Sequence, residues 1–355
     1  MLLIPVELVN YFLLFHRPIQ VMTPALKFST LLISLLVLAL VLVLLGLCAG
    51  SSGFESLGIL IPGHLAHDLM VNIRLPRTLA ALSGGALLGL AGAVAQGLFR
   101  NPLADPYLLG SASGATLGVS CALIALGGVG LHAGWLVRFG LSGSALIGAW
   151  VGVILSVFLA RGFQTSYRLL LCGVVVGVIM GALCSALGIL HPQMLQSLQS
   201  FMMGSTLFAD IQSSWLMFGA LAIAILWALR YARALDALSL GELTAKSLGV
   251  DLTQTRAHFI GILSLCTGVA VSQLGLIAFV GLAAPHVVRN LGQVLYRDLI
   301  VLSSLCGAVL LLGSDIVARS IIGPQELPLG LVTALLGGLY LLWVMNDHAL
   351  GVSGE

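Results

Sequence analysis

Long apolar segments, separated by short polar ones, fill most of the chain. A bilayer core of roughly 30 Å needs about 20 apolar residues per helix. Segments of that kind run through Phe28–Gly50, Thr78–Leu98, Tyr107–Gly127, Gly140–Ala160, Leu169–Leu190, Ile211–Leu229, Ala257–Leu295, Leu299–Ala318 and Leu327–Met345. Because Ala257–Leu295 is too long for one span, we predict two helices there, separated near Ala284-Pro285-His286. The pattern predicts an all-α membrane protein of about ten transmembrane helices.

The apolar pattern also divides the chain. Residues 1–27 begin with an apolar stretch that is too short to span and contains Glu7, so we predict a cytoplasmic or interfacial leader. Residues 28–346 form a single transmembrane domain, and residues 347–355 form a C-terminal tail.

Composition supports a lipid environment. Hydrophobic residues make up 59% of the chain, charged residues 8%, and mean hydropathy is +1.12. Soluble domains carry about 25% charged residues, and disordered chains combine high charge with low hydrophobicity. The low charge and high hydrophobicity of this chain therefore exclude both a soluble domain and a disordered chain. The 43 glycines suit close approach of helices in lipid.

The cysteines and histidines indicate no metal site. The six cysteines lie at irregular spacing in apolar stretches without a CxxC pair, and the eight histidines are scattered. We therefore expect neither a metal nor a cofactor bound by the chain itself.

The basic residues predict an orientation. With an even number of spans, four of the 15 Lys and Arg residues fall on one side: Arg74, Arg77, Arg138 and Arg319. The other eleven share the side of both termini, which the positive-inside rule makes cytoplasmic.

Three cations on the outer side, Arg74, Arg77 and Arg319, have several interpretations. They are interfacial anchors, or a docking site for an acidic partner, since guanidinium groups bind carboxylates in a planar fork. Arg319 also lies four residues after Asp315, so the two side chains could form an intrahelical pair.

Six sequence blocks, in one order, resemble the FecCD-type permeases of ABC importers. The blocks are Arg74–Arg77, Gln96–Pro106, Leu109–Gly114, Leu240–Gly249, Phe279–Arg289, and Asp315–Arg319 with Glu326–Gly330. They cover the chain from about Arg74 to Gly338.

This resemblance implies a homodimer in a bacterial inner membrane, with two cytoplasmic ATPase subunits that carry ATP and Mg. A periplasmic binding protein would deliver the substrate, which we expect to be an iron complex (haem or a ferric siderophore) ahead of cobalamin. Nucleic acid is not an expected partner. This chain has no glycine before Lys246-Ser247, as a phosphate-binding loop requires, so ATP hydrolysis must come from another chain.

The segment Ala237–Val250 lies between two spans on the predicted cytoplasmic side. Its leucines and glycines predict two short helices, with a Glu242–Lys246 pair one turn apart. In the FecCD-type family this segment contacts the ATPase; the alternative is an ordinary connector. The residues assigned to coupling are Gly241, Glu242, Ala245, Lys246 and Gly249.

Two further groups have both a structural and a functional interpretation. Gly173, Gly177 and Gly181 form one small-residue face, which either packs within the subunit or lines the translocation path. Pro285, His286 and Arg289 form a polar group inside a span, either a gate or a structural kink.

Two other function classes remain to be compared. An ion-coupled secondary transporter would use a membrane carboxylate, for which Asp315 is the candidate. An intramembrane serine protease would use the Gly140–Gly143 motif, with Ser142 as nucleophile and His258 or His286 as base.

Overall fold

The structure is a computed structural model that describes residues 27–50, 53–54, 68–127, 135–160, 166–207, 209–292, 294–322 and 325–352. The predicted leader, apart from residue 27, and the last three residues of the predicted tail lie outside these ranges. Residues 347–352 continue the final helix.

The described residues are almost entirely helical. The helices are α1 (Phe28–Cys48), α2 (Leu75–Phe99), α3 (Ser111–Ala125), α4 (Trp135–Leu159), α5 (Ser166–Leu190), α6 (Leu195–Met202), α7 (Ile211–Ser239), α8 (Glu242–Ser247), α9 (Leu252–Leu274), α10 (Val280–Leu291), α11 (Tyr296–Ser320) and α12 (Leu329–Val352). A π-helical turn (Met70–Arg74) leads into α2, and a 3-10 turn (Pro192–Met194) leads into α6. The two-residue strands β1 (Ala49–Gly50) and β2 (Gly53–Phe54) pair antiparallel.

Seven helices in the described ranges are long and apolar enough to cross a membrane. Two shorter apolar segments, α3 (Ser111–Ala125) and the part Leu329–Trp343 of α12, and the 12-residue α10 bring the number of candidate spans to ten. The all-α prediction is confirmed, and the count of about ten holds when these short helices are included.

The break in the stretch from Ala257 to Leu295 lies earlier than the sequence pattern predicts. α9 ends at Leu274 and α10 begins at Val280, so the chain turns at residues 275–279, where Gly275 and Phe279 both have positive φ. Pro285 lies inside α10 and does not end it. A proline lacks the N–H that would bond the carbonyl four residues earlier, which here is that of Gly281.

Helix α2 forms the centre of the fold. In its most apolar window 89% of the residues are buried, against 17% to 67% in the other long helices. One side of α2 is made of glycines that lie against backbone. A Cβ atom added to Gly85 or Gly89 would lie 2.3 Å from the Gly307 carbonyl or 2.1 Å from that of Ser303, both on α11.

Gly92 extends this contact to α10. A Cβ atom there would lie 1.6 Å from the carbonyl oxygen of Gly281, the carbonyl that Pro285 leaves without its intrahelical donor. The missing side chain of Gly92 thus lets α2 and α10 meet backbone to backbone.

We predict that Gly92→Ala strongly destabilises the protein, because the added methyl overlaps backbone that no rotamer change can move. Overpacking costs typically 1–3 kcal/mol, and about that much or more is expected here. Gly219→Ala in α7 is the matched control, since a Cβ atom there has no neighbour within 4 Å. Thermal melting in detergent should separate the two variants; equal melting temperatures would contradict the close α2–α10 contact.

Candidate functional site

The polar features gather at the two ends of the helix bundle. One end holds Arg77, where α2 begins, and Glu326, just before α12. We call it the cavity end. The opposite end holds α8 and Arg100, which follows the last residue of α2. We call it the α8 end.

A cavity of about 610 Å³ opens at the cavity end. Helices α2, α3, α4, α6, α7, α9 and α11 contribute to its walls, together with the segments around Met203 and Leu327. Its polar lining includes Ser142, Gln212 and Gln273, beside apolar side chains such as Phe139.

Backbone hydrogen bonds join the three segments that border this cavity. Ser205 N donates to Leu274 O at 2.8 Å, and Gly330 N donates to Met203 O at 2.8 Å. Gly204 has φ +64°, and a Cβ atom on it would lie 2.6 Å from the Leu276 carbonyl. The segment after α6 is therefore fixed between the α9–α10 turn and the start of α12.

Arg77 bonds Glu326 through both terminal nitrogens, at 2.9 and 2.7 Å. The Arg77 side chain is 8% exposed and that of Glu326 22%. This bidentate pair fixes the segment before α12 to the first turn of α2.

Asp315 is bonded from two sides. It forms a buried ion pair with Arg319 on the same helix, as its position one turn earlier allows, and it accepts a 2.5 Å hydrogen bond from Thr206 Oγ1. Arg319 also donates to the Gly46 carbonyl of α1 at 3.3 Å. The intrahelical interpretation of Arg319 is the one that the structure shows.

The three outer arginines are buried within the chain. Arg74, Arg77 and Arg319 are 5%, 6% and 1% exposed, and Arg74 donates to the Cys48 carbonyl at 3.2 Å. Each guanidinium group is engaged inside the chain. The docking role stays a prediction. It would require the arginines to give up these internal contacts for contacts with the partner.

At the α8 end, the predicted coupling segment differs in detail from expectation. It contains one short helix, α8, between Gly241 (φ +111°) and Gly249 (φ +81°), where the pattern predicts two. Glu242 lies 2.8 Å from Arg256 and 3.5 Å from Arg100. These arginines, not Lys246, are the ion-pair partners of Glu242.

The apolar residues of this segment face outward. Leu240, Leu243 and Leu248 are 67%, 83% and 63% exposed, while Ala245 is buried. Three exposed leucines beside exposed Lys246 form a surface that we call the α8 patch.

Pro285, His286 and Arg289 all lie on α10, where Arg289 takes part in a polar network. Its guanidinium bonds the side-chain oxygen of Gln96 and, at 3.2 Å, the hydroxyl of Tyr296. Gln96 also donates to Leu282 O at 3.2 Å. Arg289 thus joins α10 to α2 and α11, which is a structural role; a gate function stays a prediction.

The turn between α2 and α3 is held by contacts within the turn and with α10. Asp105 Oδ1 accepts from the Tyr107 backbone N–H at 2.8 Å, and Pro106 lies against Gly281. Burial raises the pKa of Asp105, and the bond from the Tyr107 N–H opposes that rise in part.

The glycine face of α5 is only partly used in packing. A Cβ atom on Gly173 would lie 2.2 Å from Leu108 O, whereas one on Gly177 would meet only Ser113 Oγ at 3.5 Å and one on Gly181 nothing within 4 Å. Gly173 packs within the subunit, and the side of Gly181 is open.

The alternative functions find little support in these contacts. Asp315, the candidate ion carrier, is held by Arg319 and Thr206. His258 stacks on Tyr231 with ring centroids 4.0 Å apart and bonds Trp227, while Ser142 lines the cavity.

Glu326, Arg256 and Gln96 are the site residues that sequence reasoning missed. The first and third lie inside the blocks that resemble the family, and Arg256 directly precedes the predicted apolar segment Ala257–Leu295. A search for opposite charges near span ends would have found Glu326 and Arg256, although not their partners.

Arg319→Met should be strongly destabilising, because it leaves the Asp315 carboxylate buried without its cation. Breaking a buried ion pair from one side costs about 3–5 kcal/mol, whereas replacing both partners by apolar residues is often neutral. Adding Asp315→Leu should therefore recover most of the loss in thermal melting. The exposed Arg297→Gln serves as control. If the double variant melts as low as Arg319→Met, the pair is not what stabilises this region.

Comparison with known proteins agrees with this architecture. The sequence profile described as the FecCD transport family matches residues 33–347. The "Vitamin B12 import system permease protein BtuC" of Salmonella paratyphi A and that of Salmonella typhi are each 39% identical over 323 residues, covering 90% of this chain and 95% of the relative.

Two solved structures share the fold. One, an inward-facing conformation of an ABC transporter assigned to the metal-chelate type, superposes with a TM-score of 0.80 at 28% identity and covers 90% of this chain and 99% of its own. The other, PsaBC from Streptococcus pneumoniae in complex with a Fab, has a TM-score of 0.55 at 19% identity, with coverage of 76% and 89%. Because the family profile covers nearly the whole chain and the relatives match along their length, the chain belongs to the FecCD transport family of ABC importer permeases.

Proposed function

We propose that this permease imports a bulky metal chelate, working as a homodimer with two copies of a separate ATPase and a substrate-binding protein. The observation that carries the proposal is the contrast between the two ends of the bundle. One end presents the apolar α8 patch, and the other opens a cavity lined by apolar side chains with hydroxyl and amide groups among them. A permease driven by another chain needs both a docking surface and a substrate entrance.

The α8 patch fits the ATPase. It is too exposed and too apolar to be left in water, and it lies next to charged residues rather than within a span. With the positive-inside orientation, this end faces the cytoplasm, where ATP is available. The cavity end then faces the periplasm, and both termini are cytoplasmic.

The cavity fits a ligand that is held weakly while it passes. The ionic side chains that line it are Arg77, Asp210, Asp315 and Glu326, and each is engaged within the protein. What remains for a ligand is hydroxyl and amide groups beside apolar surface. Strong binding in transit would slow release, so this lining suits transport.

The second copy is proposed to lie along α5. The side of Gly181 is open, and neighbouring residues such as Val178 and Leu183 are exposed by 67% and 51%. Two such faces would enclose a path between the copies.

For the substrate, a corrinoid of the cobalamin type is the first candidate. The relatives at 39% identity are named as vitamin B12 permeases, which reverses the preference for an iron complex drawn from the sequence blocks. Haem and ferric siderophores are the second candidate.

Replacing Leu243 by Lys should abolish association with the ATPase while membrane insertion stays normal. The change puts a charge into the most exposed leucine of the α8 patch, where a buried interface would have to desolvate it. Gln254→Lys is the control, because it adds the same charge at an exposed position of the neighbouring helix α9. Copurification measures the outcome. Full copurification of the ATPase with Leu243→Lys would remove the α8 patch from the interface.

Cells that contain the permease with its partners should accumulate radiolabelled cyanocobalamin, and unlabelled cobalamin should compete. Labelled ferrichrome and haemin, tested in parallel, should not accumulate above cells that lack the permease. Uptake of either iron complex without uptake of cyanocobalamin would overturn the corrinoid assignment and leave the metal-chelate class in place.

A further inference from the structure

Helix α7 carries an exposed apolar stripe that ends in two arginines. Trp215, Ile223 and Leu226 are 68%, 59% and 71% exposed, and Arg230 and Arg233 are exposed beyond them. At 3.6 residues per turn, Trp215, Leu226 and Arg233 lie along one line of the helix surface. Trp215 and Arg233 are about 27 Å apart along the axis, close to the roughly 30 Å of a bilayer core. We call this face the α7 stripe.

Contacts with α2 place the two arginines near the membrane surface at the α8 end. Ser214 Oγ donates to the Pro76 carbonyl at 3.1 Å, where α2 begins. Near the other end of α2, a Cβ atom on Gly97 would lie 2.8 Å from the Leu235 side chain. The two helices thus run in parallel, and Arg230 lies about 7 Å before the level of Gly97. An arginine at this depth extends along apolar surface and carries its charge to the lipid headgroups.

An aromatic cluster supports Arg230. Its Cζ atom lies 5.8 Å from the ring centroid of Tyr231, and that ring stacks on His258 of α9 with centroids 4.0 Å apart. Trp227 donates to His258 Nδ1 at 3.3 Å, and its indole lies 2.7 Å from the place of a Cβ atom on Gly261. Tryptophan and tyrosine are enriched where a bilayer meets water. The cluster therefore joins the inner end of the stripe to α9 at the depth of the headgroups.

The two arginines of the α7 stripe lack a counter-ion within the described part of the chain. Of the ion pairs between described residues, none includes Arg230 or Arg233. Asp236, about one turn after Arg233, accepts a 2.9 Å hydrogen bond from the Tyr296 N–H and so is turned towards α11. Two cations beside an apolar stripe are stabilised by an anion from their surroundings, and the surface of a membrane offers phosphate groups.

The α7 stripe is separate from the surfaces proposed for the second copy and the ATPase. α7 packs against α2, α9 and α11, whereas α5, the helix proposed for the second copy, packs mainly against α3 and α4. The α8 patch begins at Leu240, after α7 has ended. The neighbour left for the stripe is lipid.

We propose that the inner end of the α7 stripe binds an anionic phospholipid. The phosphate accepts hydrogen bonds from the guanidinium groups of Arg230 and Arg233, whose planar forks suit phosphate, and one acyl chain lies along Leu226 and Ile223. A zwitterionic lipid binds less well, because its own ammonium group is repelled by the two cations. The proposed function makes this leaflet the cytoplasmic one, but the binding requires only that the α8 end lies at a membrane surface.

The test measures which lipid lies next to Trp227. The other tryptophans are replaced by phenylalanine, and the permease alone is placed in vesicles of phosphatidylcholine. Lipids with brominated acyl chains, which quench tryptophan fluorescence on contact, are added as phosphatidylglycerol or as phosphatidylcholine. The two quenching curves give the preference for the anionic lipid. Because neither ATPase nor substrate is present, failure of this test is distinct from failure of the proposed function.

Next to Trp227, phosphatidylglycerol should bind about ten-fold or more tightly than phosphatidylcholine, since each basic residue near an anionic lipid contributes roughly a factor of five. In Arg230→Gln/Arg233→Gln the ratio should fall to about one, because both charges are gone. In Arg230→Lys/Arg233→Lys part of the preference should remain, because the charges are kept and only the planar forks are lost.

Arg297→Gln/Lys246→Gln is the matched control. It removes two exposed positive charges at the same end of the bundle but away from the α7 stripe, so the preference should equal that of the parent. A second control keeps Trp215 as the only tryptophan. This residue lies about 27 Å from Arg233 along the helix, so it should report no preference.

Two outcomes would overturn the proposal: a parental preference at Trp227 in Arg230→Gln/Arg233→Gln, or the same preference at Trp215 as at Trp227. Both arginines are exposed, so the glutamine variant should melt at the parental temperature. Its loss of preference is then a loss of lipid binding and not of folding.

Discussion

The close contact of α2 with α10 and α11 is the constraint on which the rest of the structure depends. At Gly85, Gly89 and Gly92 the distance to neighbouring carbonyl oxygens leaves no room for a side chain. In lipid, helices gain little from hydrophobic burial against one another, so close van der Waals packing must supply the association. The glycine face places α2 at the centre, and the other helices arrange around it.

Arginine side chains also join the helices to one another. Arg77 joins α2 to the segment before α12, Arg319 joins α11 to α1, and Arg289 joins α10 to α2. Each lies near a helix end, where its charge is satisfied by a carboxylate, an amide or a carbonyl. The same residue type that was expected to recruit an outside partner is used here to fix helices to one another.

The sequence predicted the elements well and their contacts poorly. The apolar segments predicted the helices, because the length and the composition of a span are local properties of the sequence. The position of the turn before α10 was missed, since Pro285 fits inside a helix when Gly92 provides space beside the freed carbonyl, and that space depends on a residue almost two hundred positions earlier. The Arg77–Glu326 and Glu242–Arg256 pairs were missed because each joins residues of different elements, and sequence spacing does not predict such contacts. The Asp315–Arg319 pair could be anticipated, because its residues lie one turn apart on one helix.

A permease of this family divides the work of transport between chains, and the two ends of the bundle match that division: an apolar patch at one end and a cavity with internally paired charges at the other. The most direct measurement is uptake into proteoliposomes that contain the permease, its ATPase and the binding protein loaded with cyanocobalamin. Accumulation should require ATP and should stop when the ATPase carries an inactivating change. Accumulation driven by a proton or sodium gradient without ATP would contradict the account.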